Sequence, residues 1–143
     1  MNVNTILLLL INVSADELKM HLRWLDISIA RGLFYAALIS VTVLALIPAT
    51  EVPASTGWDK ADHWLGFFTL AFLGAHAYPR HSFWRRIAIA LLMYGIGIEF
   101  AQWCTPDRQA DWRDVVADAI GIAAYGLVIF CCQRIERMRA ESE

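Results

Sequence analysis

Ile87-Ala-Ile-Ala-Leu-Leu-Met-Tyr-Gly-Ile-Gly-Ile98 runs for a dozen positions with no charge, amide or proline. A helix of a water-soluble bundle shows polar residues on one face at every turn, and this stretch shows none. Its natural solvent is hydrocarbon. Extended to Trp103, it makes a span close to the ~20 residues that a bilayer crossing requires.

Working outward, three further stretches read the same way: Leu33 to Ala49, ending near Pro48; His63 to Tyr78, stopped by Pro79; and Val115 to Cys132. Each is 16 to 18 residues long, short but sufficient for upright helices or a bundle whose ends thin the membrane. The composition agrees, with 58% apolar and 18% charged residues and a mean hydropathy of +0.47. At 143 residues the chain is one domain. Its net charge of −2 gives no basic field, and no nucleic-acid partner is expected.

The charges lie between the spans and fix an orientation. Lys19, Arg23 and Arg31 precede span one, Arg80, Arg85 and Arg86 join spans two and three, and Arg134, Arg137 and Arg139 follow span four. Nine of the twelve basic residues thus share one side, leaving Lys60, Arg108 and Arg113 on the other. The positive-inside rule makes the first side cytoplasmic, with both termini. Trp58, Trp64, Trp103 and Trp112 fall at outer span ends and Trp24 and Trp84 at the inner side, as an interfacial aromatic belt requires.

The sequence therefore predicts an all-α integral membrane protein, a four-transmembrane-helix bundle over residues 31–133 with a cytoplasmic tail over 134–143. Residues 1–30 are expected to form an amphipathic, interfacial segment. The apolar run Thr5–Val13 is too short to cross and has neither the basic lead nor the small-residue cleavage site of a signal peptide. Ser14-Ala-Asp-Glu17 has a capping-box pattern. Leu18, Leu22, Leu25 and Ile29 then make an apolar stripe opposite Lys19, Arg23 and Asp26, suited to the inner leaflet. Translation starting at Met20 is the alternative. Cys104 near the outer surface and Cys131 and Cys132 near the inner one are too far apart to pair. They read as apolar filler, with palmitoylation of Cys131 or Cys132 the weaker alternative.

Ionisable residues at a membrane edge are costly and need a reason. Asp59-Lys60-Ala-Asp62-His63 leads into span two, Glu99 and Gln102 share a face at the outer end of span three, and Pro106 to Asp114 leads into span four. Asp114, Asp118 and Gly121 continue as one stripe facing the bundle interior. Glu99 and Asp118 lie about a turn inside apolar helices, where a carboxylate must be paired, hydrogen-bonded or protonated. Arg108, Lys60 and His63 are the expected partners. A clamp holding the helices in register needs two or three such groups; the larger number here favours a pocket. His76 reads as an interfacial or packed histidine, Tyr94 and Tyr125 as packed side chains, and Gly95, Gly97, Gly121 and Gly126 as close-packing positions.

Asp59-Lys60-x-x-His63, Glu99-x-x-Gln102, Pro106-x-Arg108 and Asp114 before a glycine-containing last helix together resemble the VanZ-like family over about residues 33–130. The resemblance implies a small bacterial multi-pass protein of the plasma (inner) membrane, in a family whose namesake confers low-level teicoplanin resistance, and it brings no established catalytic activity. It implies signature positions at Asp59, Lys60, His63, Glu99, Gln102, Arg108 and Asp114. Asp118 stands where such sequences often hold asparagine, and the family's Pro-Gly-Arg is here Pro106-Asp107-Arg108.

The expected ligand-binding set is therefore Asp59, Lys60, His63, Glu99, Gln102, Arg108, Asp114 and Asp118. The preferred function is an accessory envelope protein, with membrane lipids and a lipid-linked envelope precursor as partners. Arg108 and Lys60 would hold an anionic headgroup, while Glu99, Gln102 and Asp114 orient it. The alternative is a membrane enzyme using His63 with Asp59 or Glu99 as an acid–base pair. A metal on His63, Glu99, Asp114 and Asp118 is opposed by Arg108 and Lys60 at the same depth, so neither metal nor cofactor is expected. Four short helices without an inverted repeat leave little room for transport.

Overall fold

The computed structural model describes residues 15–47, 59–106, 108 and 110–142, with side chains described from Asp26 onward apart from Asp59. The described residues are all-α, in four helices: α1 (Ala15–Leu46), α2 (Asp59–Ala77), α3 (Ile89–Trp103), and α4 (Trp112–Ala140). A π-helical turn, Phe83–Ala88, runs directly into α3.

The punctuation follows local chemistry. α1 ends at Leu46, and Ile47 still donates to the Val43 carbonyl at 3.0 Å, one position before the proline of the sequence. α2 ends at Ala77, just before Tyr78-Pro79. α4 starts at an aspartate N-cap, Asp111, whose side chain accepts from the Arg113 amide.

Two boundaries differ from expectation. α1 has no break between residues 15–30 and span one; the amphipathic stretch continues the same helix. At ~1.5 Å per residue, its 32 residues reach beyond a ~30 Å hydrocarbon core. Likewise α4 passes Cys132 and stays helical to Ala140, through most of the expected tail. The run Thr5–Val13 and the Pro48 end of span one lie outside the described residues.

α1 packs on α2 and α3, and α4 packs on the same two helices from the other side, most extensively on α2. Phe67, Leu70 and Ala71 of α2, Leu91 and Ile98 of α3, and Ile122 and Tyr125 of α4 form the core. Tyr94 donates to the Leu38 carbonyl at 2.7 Å and meets Thr42, fastening α3 to α1. In the widened π turn, Phe83 and Trp84 both press on Gly126 of α4.

Ile39 and Val43 of α1, Met93 and Phe100 of α3, and Leu127 and Phe130 of α4 face outward. Such a surface is unsuited to water. Asp26–Leu46 (mean hydropathy 1.9) and Trp112–Ala140 (2.2) are long and apolar enough to cross a membrane. Only 6% of the α1 window is buried in the bundle, the reverse of a soluble core helix.

Candidate functional site

The polar residues gather at the end of the bundle where α2 and α4 begin and α3 finishes. Gly121 makes the convergence possible. A Cβ there would collide with the Trp64 carbonyl oxygen and stand 3.0 Å from the Phe68 amide nitrogen. Helices α2 and α4 therefore touch almost backbone to backbone, one turn below Asp118.

That closeness brings His63 of α2 to Asp118 of α4, with Nδ1 and Oδ1 2.9 Å apart. Asp118 is fully buried and the His63 side chain is only 12% exposed. Room for the carboxylate comes from a second glycine: a Cβ on Gly95 would stand 2.5 Å from Asp118 Oδ2 and 3.2 Å from the Phe67 ring.

Above this pair, the start of α4 is knitted to both neighbours. Asp111 Oδ1 accepts from the Arg113 amide at 2.9 Å, and its Oδ2 meets Lys60 Nζ at 3.1 Å. Lys60 also reaches Asp114 Oδ1 at 3.2 Å. The Asp111 amide donates to Glu99 Oε2 at 2.9 Å, tying the end of α3 to the cap of α4. At this rim the hydrogen bonds to Asp111 and Asp114 raise the Lys60 pKa. The Arg113 amide, and after it Lys60, hold Asp111 below its ordinary value.

His63, Glu99 and Asp114 each bring one ligand atom within 4.8 Å of the others. Glu99 and Asp114 are buried. Among the described residues, four carboxylates, from Glu99, Asp111, Asp114 and Asp118, thus crowd around one lysine and one histidine. Among the described residues, Glu99 Oε1 and Asp118 Oδ2 are buried with no hydrogen-bond partner.

Two expected members of the pocket have other work. Gln102 Nε2 donates to the Ala45 carbonyl at 3.0 Å, and Arg108 Nη2 donates to the Leu44 carbonyl. These carbonyls belong to the last turn of α1, where helix acceptors lack intrahelical donors and a positive charge suits the dipole. Arg108 therefore caps α1, and among the described residues it makes no ion pair with a carboxylate. The Asp59 side chain lies outside the described residues.

The expected acid–base partner of His63 was Asp59 or Glu99; among the described residues Nδ1 of His63 meets Asp118, and the Asp59 side chain lies outside them. Asp111 was not singled out as a site residue, although it joins Lys60, Glu99 and Arg113. Its signal was the Asp111-Trp-Arg-Asp114 pattern, an N-cap aspartate with an acidic residue in the first helical turn. His76, expected to be packed or interfacial, is exposed and bonds the Phe72 carbonyl of its own helix.

No curated protein and no solved structure matches the chain. A family model described as VanZ/LLP1 matches residues 30–134, which include all four bundle helices in whole or large part and every residue of the polar cluster. By that match, the chain belongs to the VanZ/LLP1 family.

Proposed function

We propose that this chain is a multi-pass protein of the bacterial plasma membrane, with four spans and both termini cytoplasmic. Its polar site would open on the outer leaflet and bind the headgroup of a lipid-linked or otherwise anionic envelope ligand. In that role it is an accessory envelope protein, one route by which a family member affects teicoplanin susceptibility.

The observation that supports this reading best is the convergence of His63, Glu99 and Asp114 within 4.8 Å at a helix end. Most of the bundle's outer face is apolar, so this polar centre belongs to a chemistry other than lipid packing. Lys60 supplies the anion-holding group. Its side chain is 33% exposed, and two of its three N–H donors go to Asp111 and Asp114, leaving a third for a ligand oxygen. Arg108 has no part in this grip, since it serves α1.

A second reading is enzymatic. A buried aspartate on Nδ1 orients a histidine so that its other nitrogen can move a proton. On that reading His63 is the acid–base group and Asp118 its positioning residue.

Headgroup binding is testable in lipid nanodiscs. Native mass spectrometry should show phosphatidylglycerol or an undecaprenyl-phosphate-linked precursor retained over phosphatidylcholine, and Lys60→Ala should remove the preference. Equal retention of all three lipids, or a preference untouched by Lys60→Ala, would count against the reading.

A further inference from the structure

The site is more acidic than an anion pocket should be. Lys60 neutralises the rim, through Asp111 and Asp114, but its bonds do not extend to Glu99 or Asp118. Buried carboxylates in such density need counter-charge, hydrogen bonds or protons, and a bound cation would supply the first. We propose that His63, Glu99 and Asp114 bind a divalent transition-metal ion, of the Zn²⁺ or Mn²⁺ type, whose remaining coordination position takes an oxygen of the anionic headgroup.

The donor set has the right chemistry. One imidazole nitrogen with two carboxylate oxygens suits borderline ions such as Zn²⁺ and Mn²⁺. Ligand atoms at ~2.1 Å from a tetrahedral ion lie about 3.4 Å apart. A trio already within 4.8 Å closes to that spacing through small side-chain movements.

A second observation is independent of the clustering. Glu99, only 8% exposed, spends Oε2 on the Asp111 amide, while Oε1 is buried with no partner among the described residues. Buried polar atoms are almost always satisfied, and Glu99 Oε1 is one of four among the described residues that are not, with Gln102 Oε1, Arg108 Nε and Asp118 Oδ2. The Glu99 oxygen sits on the carboxylate that belongs to the trio.

The surroundings fit as well. Metal-bound histidines commonly give their other ring nitrogen to a carboxylate, which fixes the tautomer and strengthens the ligand. Asp118 on Nδ1 is placed for this, with Nε2 as the nitrogen the metal would take. The sequence argument against a metal relied on Arg108 and Lys60 together. Arg108 faces the α1 carbonyls, and Lys60 competes for Asp114 alone among the three ligands.

The metal also explains how an acidic site could hold an anion, and to that extent the inference rests on the headgroup reading. Metal and lipid are nevertheless separable by experiment. The full chain, purified in detergent and stripped with chelator, is titrated with Zn²⁺, Mn²⁺, Mg²⁺ and Ca²⁺ alone, following stoichiometry by elemental analysis and melting temperature.

The expected result is about one equivalent of Zn²⁺ or Mn²⁺ per chain, with a raised melting temperature. His63→Ala and Glu99→Gln should abolish it, and Asp118→Asn should weaken it roughly 10- to 100-fold. Lys60→Ala should tighten metal binding by removing a competing cation, even as it weakens the lipid preference. That opposite response distinguishes a metal site from general loss of structure.

Substoichiometric binding, binding unchanged in both His63→Ala and Glu99→Gln, or weaker binding in a folded Lys60→Ala would overturn the metal. If Glu99→Gln does not fold, His63→Gln carries the same test. A metal-free protein that still selects anionic lipid through Lys60 would sink the metal and leave the headgroup reading standing. Stoichiometric metal with no lipid preference would do the converse.

Discussion

His63 and Asp118 are held 2.9 Å apart, from two different helices, at a depth where Asp118 has no contact with solvent. With Asp118 as the carboxylate, Nδ1 of His63 is the nitrogen that donates to it. Nitrogen-15 NMR of labelled His63 should therefore report the Nδ1–H tautomer, shifting to a mixture in Asp118→Ala. The same substitution strands a buried donor and should cost about 1–3 kcal/mol of stability, read by denaturation in detergent. An Nε2–H tautomer in the wild type would make Asp118 the proton donor and overturn this direction.

Gly121 and Gly97 make a matched pair. A Cβ on Gly121 would run into the backbone of α2, which has no side chain to move aside, whereas one on Gly97 would meet nothing within 4 Å. Gly121→Ala should destabilise by about 1–3 kcal/mol through overpacking and loosen His63 from Asp118. Gly97→Ala should be neutral or stabilising by about 0.5–1 kcal/mol, through helix propensity. Thermal melts of the two variants side by side decide it.

Arg108 is expected to act on α1 and not on Glu99. Arg108→Ala should cost about 1 kcal/mol for the lost bond to Leu44. Adding Glu99→Gln should give no rescue, with the two effects additive within about 0.5 kcal/mol. Recovery of stability in the double variant would return Arg108 to the carboxylate cluster.

Much of this was legible from the chain alone. The uncharged run from Ile87 to Ile98 and its three counterparts located the bundle helices, because long apolar runs broken by charge and proline leave so plain a mark on the sequence. The placement of His63, Glu99, Asp114 and Asp118 followed from helical spacing and the cost of buried charge. The partners of Arg108 and Gln102 did not, since each reaches across to α1, and no local pattern reports which carbonyls a distant helix end leaves open. The same limit hid the choice of Asp118 over Glu99 as the partner of His63, which depends on how closely Gly121 lets two helices approach. The unbroken length of α1 was obscured by the change from an amphipathic to an apolar sequence pattern, across which the helix runs on without a break.

Topology gives a prediction independent of the site. Cys104 is exposed at the end of α3 that carries the polar cluster. In intact cells an impermeant maleimide should modify Cys104, while a cysteine introduced after Arg134 should react only once the membrane is opened. Labelling of the tail position from outside would reverse the orientation.

The central claim is that the His63 cluster acts on an envelope ligand and is more than a clamp between helices. The most direct measurement is teicoplanin susceptibility of a bacterial host expressing wild type, His63→Ala or Lys60→Ala, at matched amounts of folded protein and with melting temperatures taken alongside. The account predicts that the wild-type effect on susceptibility disappears in both variants while they remain folded and close to wild-type stability. Wild-type susceptibility in His63→Ala and Lys60→Ala, or losses that follow melting temperature alone, would contradict it.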